Sequence, residues 1–271
     1  MSLSSPRRAL GALLVFTIGA CGRQAQVASP ATGAVTPAPS IAINDGESVI
    51  RAMHAKYMDR WYKNIAFRQT VSLLGAGGQT TDQLWYVAMG GPGLQRIDYV
   101  NPDLGNGTLV RAESTYFFSN GRQVSANVGW NDLLLLTHDV YLQSPEVTIS
   151  VLRSLGYQLS RLRTSSFLGK TSYVVGASSA VDSASKQFWV ERDRLILVRV
   201  RDKRGEGQFA DFHLGDYAAA GNGWIAKQTY QMINGVPRLH QQIAGVNTEM
   251  ALDSALFDPR QWSSVKHWSK P

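Results

Sequence analysis

Cysteine is almost absent from this chain: Cys21 is the only one in 271 residues. A lone cysteine excludes an intramolecular disulfide framework and a thiolate zinc cluster. The five histidines (His54, His138, His213, His240, His267) are scattered, and none pairs with another at metal-ligand spacing. No Lys/Arg run of five or more occurs, so the polybasic signature of nucleic-acid binding is missing. Also missing are a G-x-S-x-G elbow, a phosphate loop, a G-x-G-x-x-G turn and an H-E-x-x-H pair. Gly90-Gly91-Pro92-Gly93 is glycine-rich, but it joins two expected strands and opens no helix, so it is a turn and not a phosphate cradle. Nothing nominates a nucleophile, a general base, a metal ligand set or a cofactor site. The chain reads as a non-enzyme that uses no cofactor.

What is present begins at the N-terminus. Arg7 and Arg8 precede an apolar stretch from Ala9 to Ile18, followed by the small residues Gly19 and Ala20 and then Cys21. A cationic start, a short apolar stretch and a small-residue cleavage site define a secretory signal. The stretch falls short of the ~20 apolar residues that a membrane-spanning helix needs. Ile18-Gly19-Ala20-Cys21 resembles the lipobox of bacterial lipoproteins, which implies cleavage before Cys21 and acylation of that residue. More than one acyl chain makes attachment effectively stable, at ~0.8 kcal/mol per buried CH₂. The expected partner of the N-terminus is therefore a membrane, through a lipid anchor on Cys21. In Gram-negative lipoproteins an Asp after the cysteine is the usual inner-membrane signal. Gly22 stands there instead, which implies residence at the outer membrane, facing the periplasm.

Residues 1–20 are thus read as a signal peptide and 21–44 as lipidated cysteine plus tether, because the tether is rich in Ala, Pro, Ser, Gly and Thr and lacks aromatic residues. Removing the signal leaves 251 residues with a net charge of +5, since only Arg7 and Arg8 are lost. That length suits one large domain or two small ones, and 44% apolar residues with seven Trp belong to a globular chain with its own core. The densest basic patch (Arg199, Arg201, Lys203, Arg204) falls on a strand end and turn, where such charges keep an edge soluble.

The domain is expected over 45–262, with 263–271 as a tail. Asn44-Asp45 is an N-cap pair, and Val49, Ile50, Met53, Tyr57 and Trp61 recur at helical spacing, predicting one helix over 46–63. In 65–74, Ile65, Phe67, Gln69, Val71 and Leu73 alternate against Ala66, Arg68, Thr70 and Ser72, which is a strand pattern. Further strands follow in a meander, and Asn120-Gly121 supplies the two positive φ values of a type I′ hairpin turn. Helical periodicity returns at 130–136 and after Ser144-Pro145, giving a helical insertion within 130–167. Strands then resume to the end, for ten or eleven in all. The fold class expected is mainly β with helices: an unclosed antiparallel β-barrel, or half-barrel, whose long N-terminal helix and helical insertion cover the concave face.

The strands carry many aromatic and large apolar residues. Ordinary packing would fill the space between helix and sheet with them; an apolar cavity able to take acyl chains would leave room. The candidates for its lining are Phe67, Leu84, Tyr86, Ile97, Phe117, Phe188, Val198 and Trp224, with Val49, Ile50, Met53, Tyr57 and Trp61 as the lid helix. A slip of one residue would send any of these strand positions to the other face.

Several segments look familiar together. Leu84-Trp85-Tyr86-Val87 with Pro92, Leu94, Arg96-Ile97-Asp98-Tyr99 and Asn101-Pro102-Asp103 resembles a strand pair of the LolA/LolB-like superfamily of lipoprotein carriers and receptors. Tyr116-Phe117-Phe118-Ser119-Asn120-Gly121-Arg122 resembles the hairpin that follows it there. Phe67-Arg68-Gln69-Thr70 and Asp253-Ser254-Ala255-Leu256-Phe257-Asp258-Pro259 resemble that family's first strand and its closing segment. The resemblance spans about 45–260. It implies an unclosed barrel with an apolar interior for acyl chains, hence lipid or lipoprotein trafficking or envelope sensing. One departure is that Gly91 precedes Pro92, where the carriers place a basic residue that helps hold the lid closed. With an anchor of its own, the chain fits an anchored acceptor, transporter or sensor better than a diffusing carrier. Two other readings stay open: an envelope interaction or regulatory protein with a filled core and a protein partner, and an envelope enzyme whose site carries no recognisable motif.

Overall fold

Residues 41–75, 77–203 and 207–270 are described by a computed structural model. The expected signal peptide, Cys21 and almost all of the tether lie outside them.

Helix α1 spans Gly46–Tyr57, and its start is a capping box. The Asp45 carboxylate accepts from the Ser48 N–H at 2.7 Å, and the Ser48 hydroxyl oxygen accepts from the Asp45 N–H at 3.0 Å. Gly46 permits a close approach there, since a Cβ would sit 2.4 Å from Val175 Cγ1. The helix is shorter than the 46–63 expected. Met58 leaves helical geometry and Asp59 takes φ 61°, so Trp61 sits in the following turn.

Six strands follow as a meander: β1 (Asn64–Leu74), β2 (Thr80–Gly90), β3 (Leu94–Tyr99), β4 (Gly107–Arg111), β5 (Ser114–Ser119) and β6 (Arg122–Val128). Asn120 (φ 51°) and Gly121 (φ 75°) turn β5 into β6 as the sequence predicts. Then come α2 (Asp132–Thr137), a 3₁₀ turn (Asp139–Tyr141) and α3 (Pro145–Ser154). Seven strands complete the chain: β7 (Leu162–Phe167), β8 (Lys170–Val175), β9 (Gln187–Glu191), β10 (Ile196–Lys203), β11 (Phe209–Ala220), β12 (Gly223–Ile233) and β13 (Val236–Asn247). The described residues form thirteen strands where the sequence predicts ten or eleven. The sequence pattern puts β7 inside the helical insertion.

All thirteen form one antiparallel sheet in the order β6-β5-β4-β3-β2-β1-β13-β12-β11-β10-β9-β8-β7. Every strand pairs with its neighbours in sequence except that β6 and β7 do not pair, and the first pairs with the last through Gln69 opposite Ile243. The two free edges, β6 and β7, are consecutive in the chain. Between them the chain detours through α2 and α3 in place of a hairpin, so the barrel is left unclosed. The fold is the half-barrel class expected from the sequence.

The sheet has two buried faces. On the inner one, Val49, Ile50, Met53 and Tyr57 of α1 join Leu134, Leu135, Leu136, Tyr141, Ile149 and Leu152 of the insertion in the main core. Helix α1 packs chiefly on α3 and the Asp139–Tyr141 turn, and Arg51–Glu146 and Arg153–Glu47 ion pairs tie α1 to α3. On the outer face, residues after β13 fold back over β3–β5. Leu256, Phe257 and Trp262 bury Ala88, Leu109 and Phe118, with Val265 and Trp268 packed beside them. The stretch set apart as a tail thus lies, up to residue 270, against the domain. A second outer cluster holds Val174, Ala177, Trp189 and Val198. The basic patch is partly neutralised here. The Arg199 guanidinium forks onto Asp211 at 2.8 and 2.5 Å, and Arg201 Nε lies 3.4 Å from the same carboxylate.

Candidate functional site

A cavity of about 230 Å³ lies between the inner face of the sheet and the helical cover. It exceeds the roughly 150 Å³ engineered apolar cavity that accepts benzene, and it falls below the ~300–1,000 Å³ of pockets for drug-sized ligands. That size fits part of one acyl chain.

The strands build its walls by parity. On β1, Phe67 and Gln69 face inward; Phe67 is directly opposite Val87 of β2, which is opposite Ile97 of β3. Met89 and Gln95, also paired, extend this wall. The far wall is Ile196 and Leu197 of β10, Leu214 and Tyr217 of β11, Trp224, Ile225, Ala226 and Thr229 of β12, and Gln241 and Ile243 of β13. The cover is Trp61 and Tyr62 after α1, Asn131, Leu133, Leu134 and Thr137 around α2, and Tyr141. Stacking fixes the cover in place: the Trp61 and Tyr141 rings lie 3.8 Å apart at 25°.

Among the described residues no charged side chain lines the cavity. Its three tyrosines donate to backbone carbonyls: Tyr62 to Trp224 at 3.1 Å, Tyr141 to Leu195 at 3.0 Å, and Tyr217 to Leu197. Burial pushes all three phenols above their ordinary value, so they stay neutral. Gln69 differs from these. It is 5% exposed, and its amide has no hydrogen-bond partner among the described residues. Among those residues no group of His, Cys, Asp and Glu could hold a metal ion, and no helix is long and apolar enough to cross a membrane.

Of the eight residues expected to line a cavity, Phe67, Ile97 and Trp224 do so. Phe117 is on the same face, two strands further toward the β6 edge, opposite Thr108. Phe188 also faces inward but is fully buried under Tyr157, where the insertion fills the space. The other three need correction. Leu84 and Tyr86 have the opposite parity to Val87 and point outward. Leu84 is 38% exposed, and Tyr86 meets His267 and Trp268 of the folded-back segment. Val198 sits at a bulge, since the register skips from Leu197–Val190 to Arg199–Trp189, and this turns it into the outer cluster. Of the lid residues, Trp61 lines the cavity, whereas Val49, Ile50, Met53 and Tyr57 pack in the core behind it.

Sequence reasoning missed Val87, Met89, Leu214 and Ile243, along with the polar positions Gln69, Gln95, Thr229 and Gln241. The signal for Gln69 was present: it occupies an apolar slot in the alternation of β1, between Phe67 and Val71.

No protein-family model matches the chain, and no curated protein matches it. Solved structures do. A domain from Vibrio parahaemolyticus, assigned by its description to outer membrane lipoprotein sorting, superposes with a TM-score of 0.56 at 10% identity, covering 79% of this chain and 97% of that one. A LolA superfamily protein from Nitrosomonas europaea gives a TM-score of 0.52 at 12% identity, over 80% and 98% of the two chains. A DUF1329 family protein from Desulfovibrio piger gives 0.50 at 13%, over 79% and 95%. At such low identity the shared property is the fold, and this chain has the fold of the LolA superfamily.

Proposed function

We propose that this chain is a lipid-anchored envelope protein that binds the acyl chain of a lipid or lipoprotein inside its half-barrel. The observation that carries the proposal is the uncharged, largely apolar cavity between the sheet and the Trp61–Tyr141 cover. Convergent apolar walls with a few polar groups are what ligand pockets offer. The structural neighbours support the reading through their descriptions, one of them being a lipoprotein-sorting domain. In this reading Cys21 holds the chain at the outer membrane, facing the periplasm, and the domain acts as an acceptor, transporter or sensor. It binds and does not catalyse.

The test is mass spectrometry of lipids carried by the purified full chain with Cys21→Ala, which has no acyl groups of its own. Near-stoichiometric recovery of one acyl-lipid class is the expected result. Recovery no greater than from an unrelated envelope protein would refute it.

A second reading, an interaction protein, draws on β6. All seven of its residues are exposed, with Val124 at 63% and Val128 at 84%. An open edge of this kind can pair with another strand. A chain that carries no lipid would leave this reading in place.

A further inference from the structure

The wall of the cavity contains an amide where the strand pattern calls for an apolar side chain. Gln69 lies between Phe67 and Val71 on the inward face of β1, and all three are at least nine-tenths buried. A primary amide brings two donors and an acceptor. Without a partner among the described residues, they are left to whatever enters the cavity that they open on. No partner meets this amide among the described residues, although it opens on the cavity. The position is what a ligand's polar group would complete.

The remaining polar lining is of the same chemistry. Gln95, Gln241, Asn131, Thr137 and Thr229 are neutral donors and acceptors, and among the described residues no Lys, Arg or His lines the cavity with them. A carboxylate or phosphate drawn in here would lose its hydration without a free cation to meet it, since Arg194, over the Trp224 and Tyr217 rings, is already paired with Glu191. A neutral carbonyl would lose little and would accept from the Gln69 amide N–H.

A track for the rest of such a ligand starts at the same residue. Gln69 is directly opposite Trp85 on β2, and Trp85 is opposite Tyr99 on β3. The Trp85 and Tyr99 rings are 4.6 Å apart and only partly buried. Phe117, two strands along from Ile97, extends this inward face toward β5.

We infer that the cavity selects acyl chains whose carbonyl is an ester or an amide over chains that end in a free carboxylate, with Gln69 as the residue that reads the carbonyl. The inference rests on the acyl-binding reading above.

The test titrates the full chain carrying Cys21→Ala with 1-(11-bromoundecanoyl)glycerol and with 11-bromoundecanoate at pH 8.5. Binding is read by bromine quenching of tryptophan fluorescence, since Trp61 and Trp224 line the cavity. The glycerol ester is expected to bind at least about tenfold more tightly than the carboxylate. Adding Gln69→Leu is expected to weaken ester binding by about threefold to tenfold, the worth of one net hydrogen bond. Adding Gln69→Lys is expected to reverse the preference. Equal affinity for the two probes, or preference for the carboxylate, would overturn the inference and leave acyl binding intact. Absence of binding by either probe would overturn both. The comparison of probes on the chain with native Gln69 decides the matter even if the variants fail to fold.

Discussion

Leu84 and Gln69 show what a single side chain decides in this molecule. Strand parity places Leu84 on the outer face and Gln69 on the cavity wall, although hydrophobicity alone argues the reverse. Alternation identifies a strand and its two faces, but which face is inward depends on pairing, and pairing is a tertiary fact. Phe67 was legible because Ile65 and Val71 share its alternating face, and Ile97 because Tyr99 does. Val198 was not, because a bulge has no residue signature in this chain. Met53 is a clearer case: it repeats with Ile50 and Tyr57 at helical spacing and is fully buried. Met53→Asp would place an unpaired charge in the main core and is expected to cost about 3–5 kcal/mol in urea unfolding. An unchanged unfolding midpoint would show that the helix stripe faces solvent.

At the scale of elements, most of the sheet could be read from alternation and turn residues. β7 could not. Its six residues, Leu162 to Phe167, are half exposed at the sheet edge and carry no clean alternation. The early end of α1 was hidden too, since Trp61 continues the helical spacing while Asp59 turns the backbone left-handed. The folded-back C-terminal segment was unreadable because irregular chain has no period. It is nevertheless fastened by a buried network. Arg96 forks onto Asp98 at 2.8 and 2.9 Å, and its guanidinium lies 3.9 Å over Trp262. His267 Nε2 lies 2.9 Å from the same carboxylate.

Burial by itself raises the pKa of Asp98, but hydrogen bonds from His267 and Arg96 more than offset this and hold it below its ordinary 3.8. A carboxyl lowered in the folded state contributes stability above its unfolded value, and that contribution disappears as pH falls through the folded value. The stability Asp98 provides is therefore expected to stay level down to about pH 4 and to drop below it. Asp98→Asn should remove this part of the acid limb. It should also destabilise the chain by about 3–5 kcal/mol at neutral pH, because Arg96 is left buried without its partner. Urea titrations at pH 7 and at pH 3 measure both. Equal acid sensitivity of the two proteins would assign the limb to other carboxylates.

The whole molecule is a ring of neighbouring strands opened at one place, between β6 and β7, where helices stand instead of hydrogen bonds. That opening leaves room between sheet and cover, and closing the barrel with a hairpin would remove the insertion that roofs the cavity. Anchoring belongs to this scale as well. Under the proposed function Cys21 is the sole attachment, so Cys21→Ala is expected to release the chain from membranes under alkaline carbonate and high salt. Retention would point to another anchor.

Under the proposed function, the space beneath the Trp61–Tyr141 cover is a ligand site and not a packing defect. The most direct measurement is binding of a fluorescent monoacylglycerol to three full-length proteins that lack the anchor cysteine: the otherwise native chain, Thr229→Trp and Leu84→Trp. Thr229 lines the cavity and Leu84 points away from it. Roughly micromolar binding is expected for the native-cavity chain and for Leu84→Trp, with loss of at least about tenfold in affinity for Thr229→Trp at a retained melting temperature, since a filled pocket has no space to offer. Binding unaffected by Thr229→Trp, or no binding by any of the three, would contradict the ligand-site reading.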